Sequence, residues 1–194
     1  MGIDDRPRCS WALGGAQPDP LMVDYHDTEW GVPVDDDTEL FERLALESFQ
    51  AGLSWSTILR KREAFRAAFH GFRPPVVAAF DDDDRIRLMG DAGIVRNRAK
   101  IDATIRNAEA FLAVSREFGS FAAYLASHVP PPPRVLAPDA SPGDIPATTP
   151  ASDALSRDLR RRGFGFVGST IVYALMQSVG LVDDHLPGCF RYRG

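Results

Sequence analysis

The chain has 194 residues, of which 44% are hydrophobic and 25% are charged, a length and balance typical of one globular domain. No stretch approaches the ~20 consecutive apolar residues that cross a bilayer, and the first residues lack the apolar run of a signal peptide, so we expect a soluble, cytoplasmic protein. The net charge of −5 weakly disfavours a nucleic-acid partner, although a local basic face can still bind one.

Helical patterns dominate the chain. Asp37 and Thr38 can cap a helix that begins at Glu39, and Ser54 can cap one that begins at Trp55, because apolar residues then recur at helical spacing. Further helices are predicted over 85–89, 98–117, 120–126, 152–162 and 168–179. Strand patterns are nearly absent, so the predicted fold class is all-α, in a single domain spanning 1–194.

One segment departs from the helical pattern. Residues 128–150 are rich in proline, which removes backbone donors and disfavours the helix interior. We therefore predict an extended surface connection over 128–150.

The only two cysteines, Cys9 and Cys189, stand near opposite ends of the chain. An intracellular location argues against a disulfide, and two buried, inert thiols are one remaining interpretation. The other interpretation adds His26, which follows Cys9, and His185, which precedes Cys189 at H-x3-C spacing. Two cysteines and two histidines are the donor set of a closed, structural zinc site. Tying the ends of so long a chain together would stabilise it by on the order of 4–5 kcal/mol in a chain-entropy treatment.

Glu47 is the most unusual charged residue in the helical segments. It stands in an apolar run, L-E-S-F-Q-A-G-L at 46–53, on a helix face that we expect to turn inward. A buried carboxylate without a partner is costly, so such a residue is usually paired or functional. A salt bridge is the alternative explanation.

Long motifs then occur in a fixed order. They are R-C-x-W at 8–11, Y-H-D-x-E-W-G-V-P at 25–33, L-E-x-x-Q-A-G-L-S-W at 46–55, R-G-F-x-F-V-G at 162–168 and D-H-x-x-x-C at 184–189. From about residue 8 to about residue 192 the chain resembles the 3-methyladenine DNA glycosylase I family, an all-α member of the helix-hairpin-helix glycosylase group. The resemblance implies a monomeric enzyme that flips N3-methyladenine out of alkylated double-stranded DNA and releases it by hydrolysis, and a structural zinc ion whose ligands are Cys9, His26, His185 and Cys189.

The resemblance also implies a base-binding pocket. Glu47 would accept hydrogen bonds from the base and, by its charge, favour a cationic base; it is the one catalytic candidate, acting through electrostatics. Trp55 and Tyr25 would pack against the flat, charged ring, where stacking and cation–π attraction contribute roughly 0.5–2 kcal/mol each. Trp11 and Trp30 are further candidates for the pocket wall, with core filling as the alternative.

Residues 85–100 fit a helix, a hairpin and a second helix, with Gly93 at the turn. Backbone amides at the start of the second helix could hold a DNA phosphate, and Arg96, Arg98 and Lys100 would add positive charge. The turn A-G-I-V-R-N departs from the L-P-G-x-G hairpin usual in this group.

A second loop, 160–170, contains Gly163 and again ends at a helix start. We predict that it borders the pocket and contacts DNA.

Strand cleavage through a Schiff base would need a lysine, and the chain has only Lys61 and Lys100, both expected to be exposed among arginines. Plain hydrolysis is therefore predicted. One rival function is a zinc-stabilised helical module that binds DNA without glycosylase activity. A second rival is a metalloenzyme that uses the Cys/His set with an open coordination position. A pocket around Glu47 and Trp55 would favour the glycosylase over the binding module, which does not require one.

Overall fold

The computed structural model describes residues 3–14, 17–129, 131 and 133–194. These residues form ten α-helices and one short sheet, so the described part of the chain is mostly helical, as predicted. None of these helices is both long and apolar enough to span a bilayer. The helices are α1 (Ser10–Leu13), α2 (Pro20–Thr28), α3 (Asp37–Gln50), α4 (Trp55–Ala68), α5 (Pro74–Ala78), α6 (Asp82–Gly90), α7 (Arg98–Phe118), α8 (Phe121–His128), α9 (Pro150–Arg161) and α10 (Ser169–Ser178).

Side-chain caps set the starts of the long helices. Asp36 accepts a hydrogen bond from the backbone amide of Glu39 over 2.8 Å, so α3 begins two residues before the predicted start. Ser54 caps α4, as predicted, by accepting from the amide of Thr57. Each cap satisfies an amide that has no partner within its own helix.

Helix α9 also begins earlier than its pattern predicts. Thr149 is its cap, and Ser152 forms the reciprocal half of a capping box by bonding back to Thr149. The serine at the predicted start is therefore the third residue of the helix.

Helices α1, α2 and α5 are not predicted by the sequence patterns. They have four, nine and five residues, too few for a clear apolar repeat. Proline at the first turn of α2 and α5 is compatible with a helix start, where no amide donor is needed.

The prediction of an extended surface connection over 128–150 is wrong in part. Strand β1 (Arg134–Val135) pairs in parallel with β2 (Val182–Asp183), and a 3-10 turn spans Pro142–Asp144. Leu136 is buried and Ile145 packs against the core. The segment therefore covers part of the molecule, although two of its residues, Pro130 and Pro132, lie outside the described residues.

The largest apolar core surrounds α3, in which every residue from Leu40 to Phe49 is buried. Helices α4, α7 and α10 pack against α3. Two smaller apolar clusters lie beside this core, one around Tyr25 and the other around Cys9. Both belong to the site described next.

Candidate functional site

A cavity of about 350 Å³ opens between the N-terminal helices, α3, α4 and α10. All five residues predicted to bind a base line this cavity, so the structure brings them together; their role in binding remains a prediction. The lining residues are Trp11, Met22, Tyr25, Trp30, Glu47, Gln50, Trp55, Ile145, Ala174 and Gln177.

Glu47 supplies the acidic group of the cavity. It lies in the last turn of α3 with 3% of its surface exposed, and its Oε2 has no hydrogen-bond partner among the described residues. Burial raises the pKa of Glu47 to about 8, against a smaller lowering by the charge of Arg43. A buried, unpartnered carboxyl group facing a cavity is available to a ligand.

Arg43 lies one helical turn before Glu47 and is itself buried. Its guanidinium pairs with Glu29 and Glu39, each over 2.9 Å, which leaves its Nη1 without a hydrogen-bond partner in the described part of the chain. Arg43 does not line the cavity, but its positive charge favours the ionised form of Glu47.

Four aromatic rings that line the cavity lie close to one another. The rings of Tyr25 and Trp55 have centroids 5.1 Å apart and are inclined by 49°. Trp11 and Trp30 meet edge to face at 5.0 Å, and the centroid of Trp11 lies 6.4 Å from that of Tyr25. The buried Nε1 of Trp55 has no acceptor among the described residues, so this indole also has an unused hydrogen-bond donor. The arrangement suits a flat, polar ring.

Two polar lining residues, Gln50 and Gln177, were not among the predicted site residues. Gln50 ends α3 and belongs to the Q-A-G-L motif, which could have indicated it. Gln177 lies in α10, and no sequence pattern distinguishes it from other polar residues of an apolar helix. Ile145 was missed because its segment was expected to remain on the surface.

The four predicted metal ligands meet in a second cluster. Cys9, His26, His185 and Cys189 are all buried, and one candidate ligand atom from each lies within 4.8 Å of all the others. Cys189 Sγ lies 3.4 Å from His26 Nε2 and 3.7 Å from His185 Nδ1, and Cys9 Sγ lies 3.7 Å from His185 Nδ1. In a tetrahedral zinc site the sulfur-to-nitrogen edges are about 3.6 Å. The donor set and its spacing fit such an ion.

Hydrogen bonds fix the two histidines in the orientation that a metal requires. His26 Nδ1 lies 2.8 Å from Asp27 Oδ1, and Asp27 is held in turn by Arg8. His185 Nε2 lies 3.3 Å from the carbonyl oxygen of Trp30. Each ring therefore turns its other nitrogen toward the thiols.

The protonation of the cluster is consistent with metal ligation. Burial, together with the nearby His26, lowers the pKa of His185 to about 4, so the ring is neutral and can donate a lone pair. Burial raises the pKa of the Cys9 thiol to about 12. A thiol in these surroundings ionises only beside a compensating cation.

The loop between α6 and α7 contains Gly93, as predicted; the contact of Gly93 with DNA remains a prediction. The Gly93 amide donates to Asp91 Oδ1 over 2.7 Å, and its carbonyl oxygen accepts from Lys61 Nζ over 2.9 Å. A side chain at this position would meet Ala64 on α4 at 3.0 Å. Close packing against α4 therefore requires glycine here.

The expectation that Lys100 is exposed is wrong. Lys100 is 6% exposed, and its Nζ donates to the carbonyl oxygens of Phe49 and Ala51 over 2.8 and 2.6 Å. Its charge satisfies the end of α3, where helix carbonyls lack partners. Arg96 and Arg98 are exposed, as expected, and Arg98 pairs with Asp102 over 3.1 Å.

Gly163 ends α9 in a left-handed conformation, with φ of 95° and its amide donating to the Arg160 carbonyl. The prediction that the loop 160–170 borders the cavity is wrong, because none of its residues is among those that line it. Helix α10, which follows the loop, reaches the cavity instead through Ala174 and Gln177.

The chain is similar to known proteins over nearly its whole length. Residues 15–192 match the Methyladenine glycosylase family. The chain is 49% identical over 187 residues to "DNA-3-methyladenine glycosylase 1" of Escherichia coli (strain K12), covering 96% of this chain and 97% of that protein. Its fold matches a crystal structure of 3-methyladenine DNA glycosylase I with a TM-score of 0.90 at 49% identity, over 96% of this chain and 100% of the other. It also matches the enzyme of that name from Staphylococcus aureus, whose recognition of 3-methyladenine has been solved, with a TM-score of 0.88 at 37% identity, over 94% and 97% of the two chains.

Proposed function

The chain belongs to the methyladenine glycosylase family, and on that basis we propose that it releases N3-methyladenine from alkylated double-stranded DNA inside the cell. The reaction would be hydrolysis of the N-glycosidic bond, the first step of base-excision repair. The observation that carries the proposal is the buried, unpartnered carboxyl group of Glu47 in an aromatic cavity. A module that only bound DNA would have no use for this group.

The substrate needs recognition more than acid catalysis. N3-methyladenine in DNA is cationic, so its bond to the sugar is already labile. A base flipped into the cavity would pack against the rings of Tyr25 and Trp55, which lie side by side in the cavity lining, with Trp11 and Trp30 completing the wall. With a pKa of about 8, Glu47 is largely protonated near neutral pH in the free protein, and the positive charge of a bound base would favour its ionised form. The carboxylate would then accept hydrogen bonds from the base and stabilise its positive charge, which normal, neutral adenine lacks. A water molecule would then attack the sugar.

Plain hydrolysis, without strand cleavage, is supported by the surroundings of the two lysines. Lys61 donates to the carbonyl oxygens of Ala92 and Gly93, and Lys100 donates to those of Phe49 and Ala51. Neither ammonium group lines the cavity. A Schiff base needs a free amine beside the sugar.

We propose that the four-residue cluster holds one structural Zn²⁺ ion per chain. Four protein ligands leave no open coordination position, so the ion would not activate water. Its contribution would be to join the segments that contain Cys9 and His26 to the C-terminal segment that contains His185 and Cys189.

Contact with DNA would come from the helix-hairpin-helix segment, α6 to α7. Arg96 is exposed and takes part in no salt bridge within the described residues, so its charge is available to a phosphate. Arg98 would contribute less because Asp102 already pairs with it. The contact proposed for Gly163 has no support beyond its exposed position.

The experiment that tests the function is release of free base from methylated duplex DNA, separated by chromatography. We expect the wild-type protein to release 3-methyladenine and Glu47→Gln to be slower by about 10- to 150-fold, the value of a hydrogen bond to a charged group. Glu42→Gln is the matched control, because Glu42 lies on the same helix but pairs with Arg66 over 2.9 Å. No release by the wild-type protein would reject the function.

A further inference from the structure

A buried carboxylate lies beside the cavity and takes no part in the function proposed above. Asp184 is 1% exposed and accepts three hydrogen bonds from side chains. Arg134 donates to Oδ1 over 2.5 Å, while the Tyr173 hydroxyl and Gln177 Nε2 donate to Oδ2 over 2.6 and 2.8 Å. Both oxygens are therefore occupied by donors.

This arrangement determines which way the Gln177 amide faces. An ion-paired carboxylate offers only lone pairs, so the amide nitrogen of Gln177 must point toward Asp184 and its Oε1 away from it. Gln177 Oε1 forms no hydrogen bond with any described residue, and Gln177 is one of the residues that line the cavity. Gln177 Oε1 is therefore available as a hydrogen-bond acceptor in the cavity, and Asp184 fixes its orientation.

We propose that Gln177 is a specificity-determining residue whose Oε1 accepts a hydrogen bond from the exocyclic amino group of the bound base, and that Asp184 positions it. The proposal rests on the function proposed above. Gln177 on α10 and Glu47 on α3 lie on helices that pack together and line the same cavity, so the base meets two acceptors.

The acceptors on Glu47 and Gln177 would distinguish 3-methyladenine from a second alkylated purine, 3-methylguanine. 3-Methyladenine has an amino group on C6, which donates two hydrogen bonds, whereas 3-methylguanine has a carbonyl oxygen there, which only accepts. An acceptor facing a carbonyl oxygen is left unpaired and desolvated, and such mismatches are the strongest source of selectivity in buried sites. The pair of acceptors therefore selects an adenine-type base.

A substitution at Asp184 should reverse the amide. In Asp184→Asn, Arg134 can only donate, so the asparagine keeps its oxygen toward Arg134 and turns its NH₂ group toward Gln177. Gln177 must then rotate to present its oxygen to that donor, and its own NH₂ group enters the cavity. A donor facing C6 suits the carbonyl oxygen of guanine better than the amino group of adenine.

Calorimetry with the two free bases, 3-methyladenine and 3-methylguanine, tests this reversal. The affinity for 3-methyladenine divided by the affinity for 3-methylguanine should be at least about tenfold lower in Asp184→Asn than in the wild type. Adding Gln177→Glu to Asp184→Asn restores an acceptor, because the glutamate accepts from the asparagine, and should restore the ratio. Asp183→Asn changes a buried neighbour that accepts from the His185 amide and has no hydrogen bond with the Gln177 side chain, so it should leave the ratio unchanged.

A merely structural role for Asp184 would lower both affinities together and leave the ratio intact, which would overturn the proposal. Failure of the double variant to recover the ratio would overturn it as well. If Asp184→Asn does not fold, Gln177→Met tests the proposal instead. The ratio should fall about tenfold in this variant, and an unchanged ratio would reject the role of Gln177. A wild-type protein that binds neither base would reject the proposed function itself, which is a different result.

Discussion

His185 packs edge-on against the indole of Trp30, with ring centroids 4.7 Å apart and planes at 83°. A residue of the proposed metal centre is thus in direct contact with the wall of the cavity. Trp11 makes a similar contact with His26 at 5.3 Å. The cluster therefore does more than bring distant parts of the chain together: it also supports the two tryptophans, which line the cavity.

Removal of the metal should accordingly affect stability and base binding together. We expect one zinc ion per purified chain by elemental analysis, and a loss of stability on chelation or in Cys189→Ser on the order of 4–5 kcal/mol, seen as a lower Tm. Affinity for 3-methyladenine should fall in the same samples. The control variant His70→Asn, which changes a histidine outside the cluster, should still contain one zinc ion per chain. A protein that contains no zinc, or whose Tm is insensitive to complete chelation, would rule out a structural ion.

Trp55 should carry much of the stacking energy. Trp55→Ala is expected to weaken 3-methyladenine binding by about 10- to 100-fold, since stacking on an aromatic side chain contributes about 1–3 kcal/mol per base. Trp55→Phe retains a ring and should lose less. Calorimetry measures both effects, and equal affinities for the alanine and phenylalanine variants would show that the ring does not stack on the base.

Glu47 should make the stability of the protein depend on pH. Its pKa is about 8 in the folded protein and 4.5 in the unfolded chain, so between these values the folded state binds more protons and loses stability as pH rises. Glutamine does not ionise, so Glu47→Gln does not lose stability in this way. The Tm of Glu47→Gln should therefore match that of the wild type near pH 4.5 and exceed it by on the order of 10 °C at pH 8 to 9.

Thermal unfolding of the two proteins side by side measures this difference, and any effect of pH on the metal ligands is common to both. A Tm difference that does not change between pH 4.5 and pH 9 would mean that Glu47 is ionised throughout, stabilised by a partner such as Arg43. The same comparison for Glu42→Gln, whose carboxylate is already paired with Arg66, should show no gain at high pH.

The sequence was informative where a residue type is unusual in its surroundings. Glu47 could be predicted because it stands in an apolar run, and the four-residue cluster because each of the two thiols has a histidine nearby. Burial of such groups is costly unless a partner or a ligand compensates for it. Lys100 was misjudged because its neighbours are cationic, whereas its partners, the carbonyl oxygens at the end of α3, come from a remote part of the chain. The orientation of Gln177 likewise depends on Asp184 and Arg134, which tertiary packing alone brings together.

Neither lysine should form a covalent adduct with DNA. Borohydride traps the Schiff base formed by a glycosylase that also cleaves the strand, and we expect no trapped complex with DNA containing an abasic site. Lys100→Met should lower the Tm, because the carbonyl oxygens of Phe49 and Ala51 lose their donor. A borohydride-dependent complex that disappears in Lys61→Arg or Lys100→Arg would contradict plain hydrolysis.

Arg96 should contribute to DNA affinity through charge alone. It is exposed and unpaired within the described residues, so a contact with one phosphate would release about one counterion. Arg96→Ala should weaken binding equally for damaged and undamaged duplexes and reduce the slope of log K against log salt by about 0.9. Arg98→Ala should change the slope less, because Asp102 already pairs with Arg98 over 3.1 Å. Titrations at several salt concentrations measure the slopes; an unchanged slope for Arg96→Ala would mean that the loop between α6 and α7 does not contact the backbone through this residue.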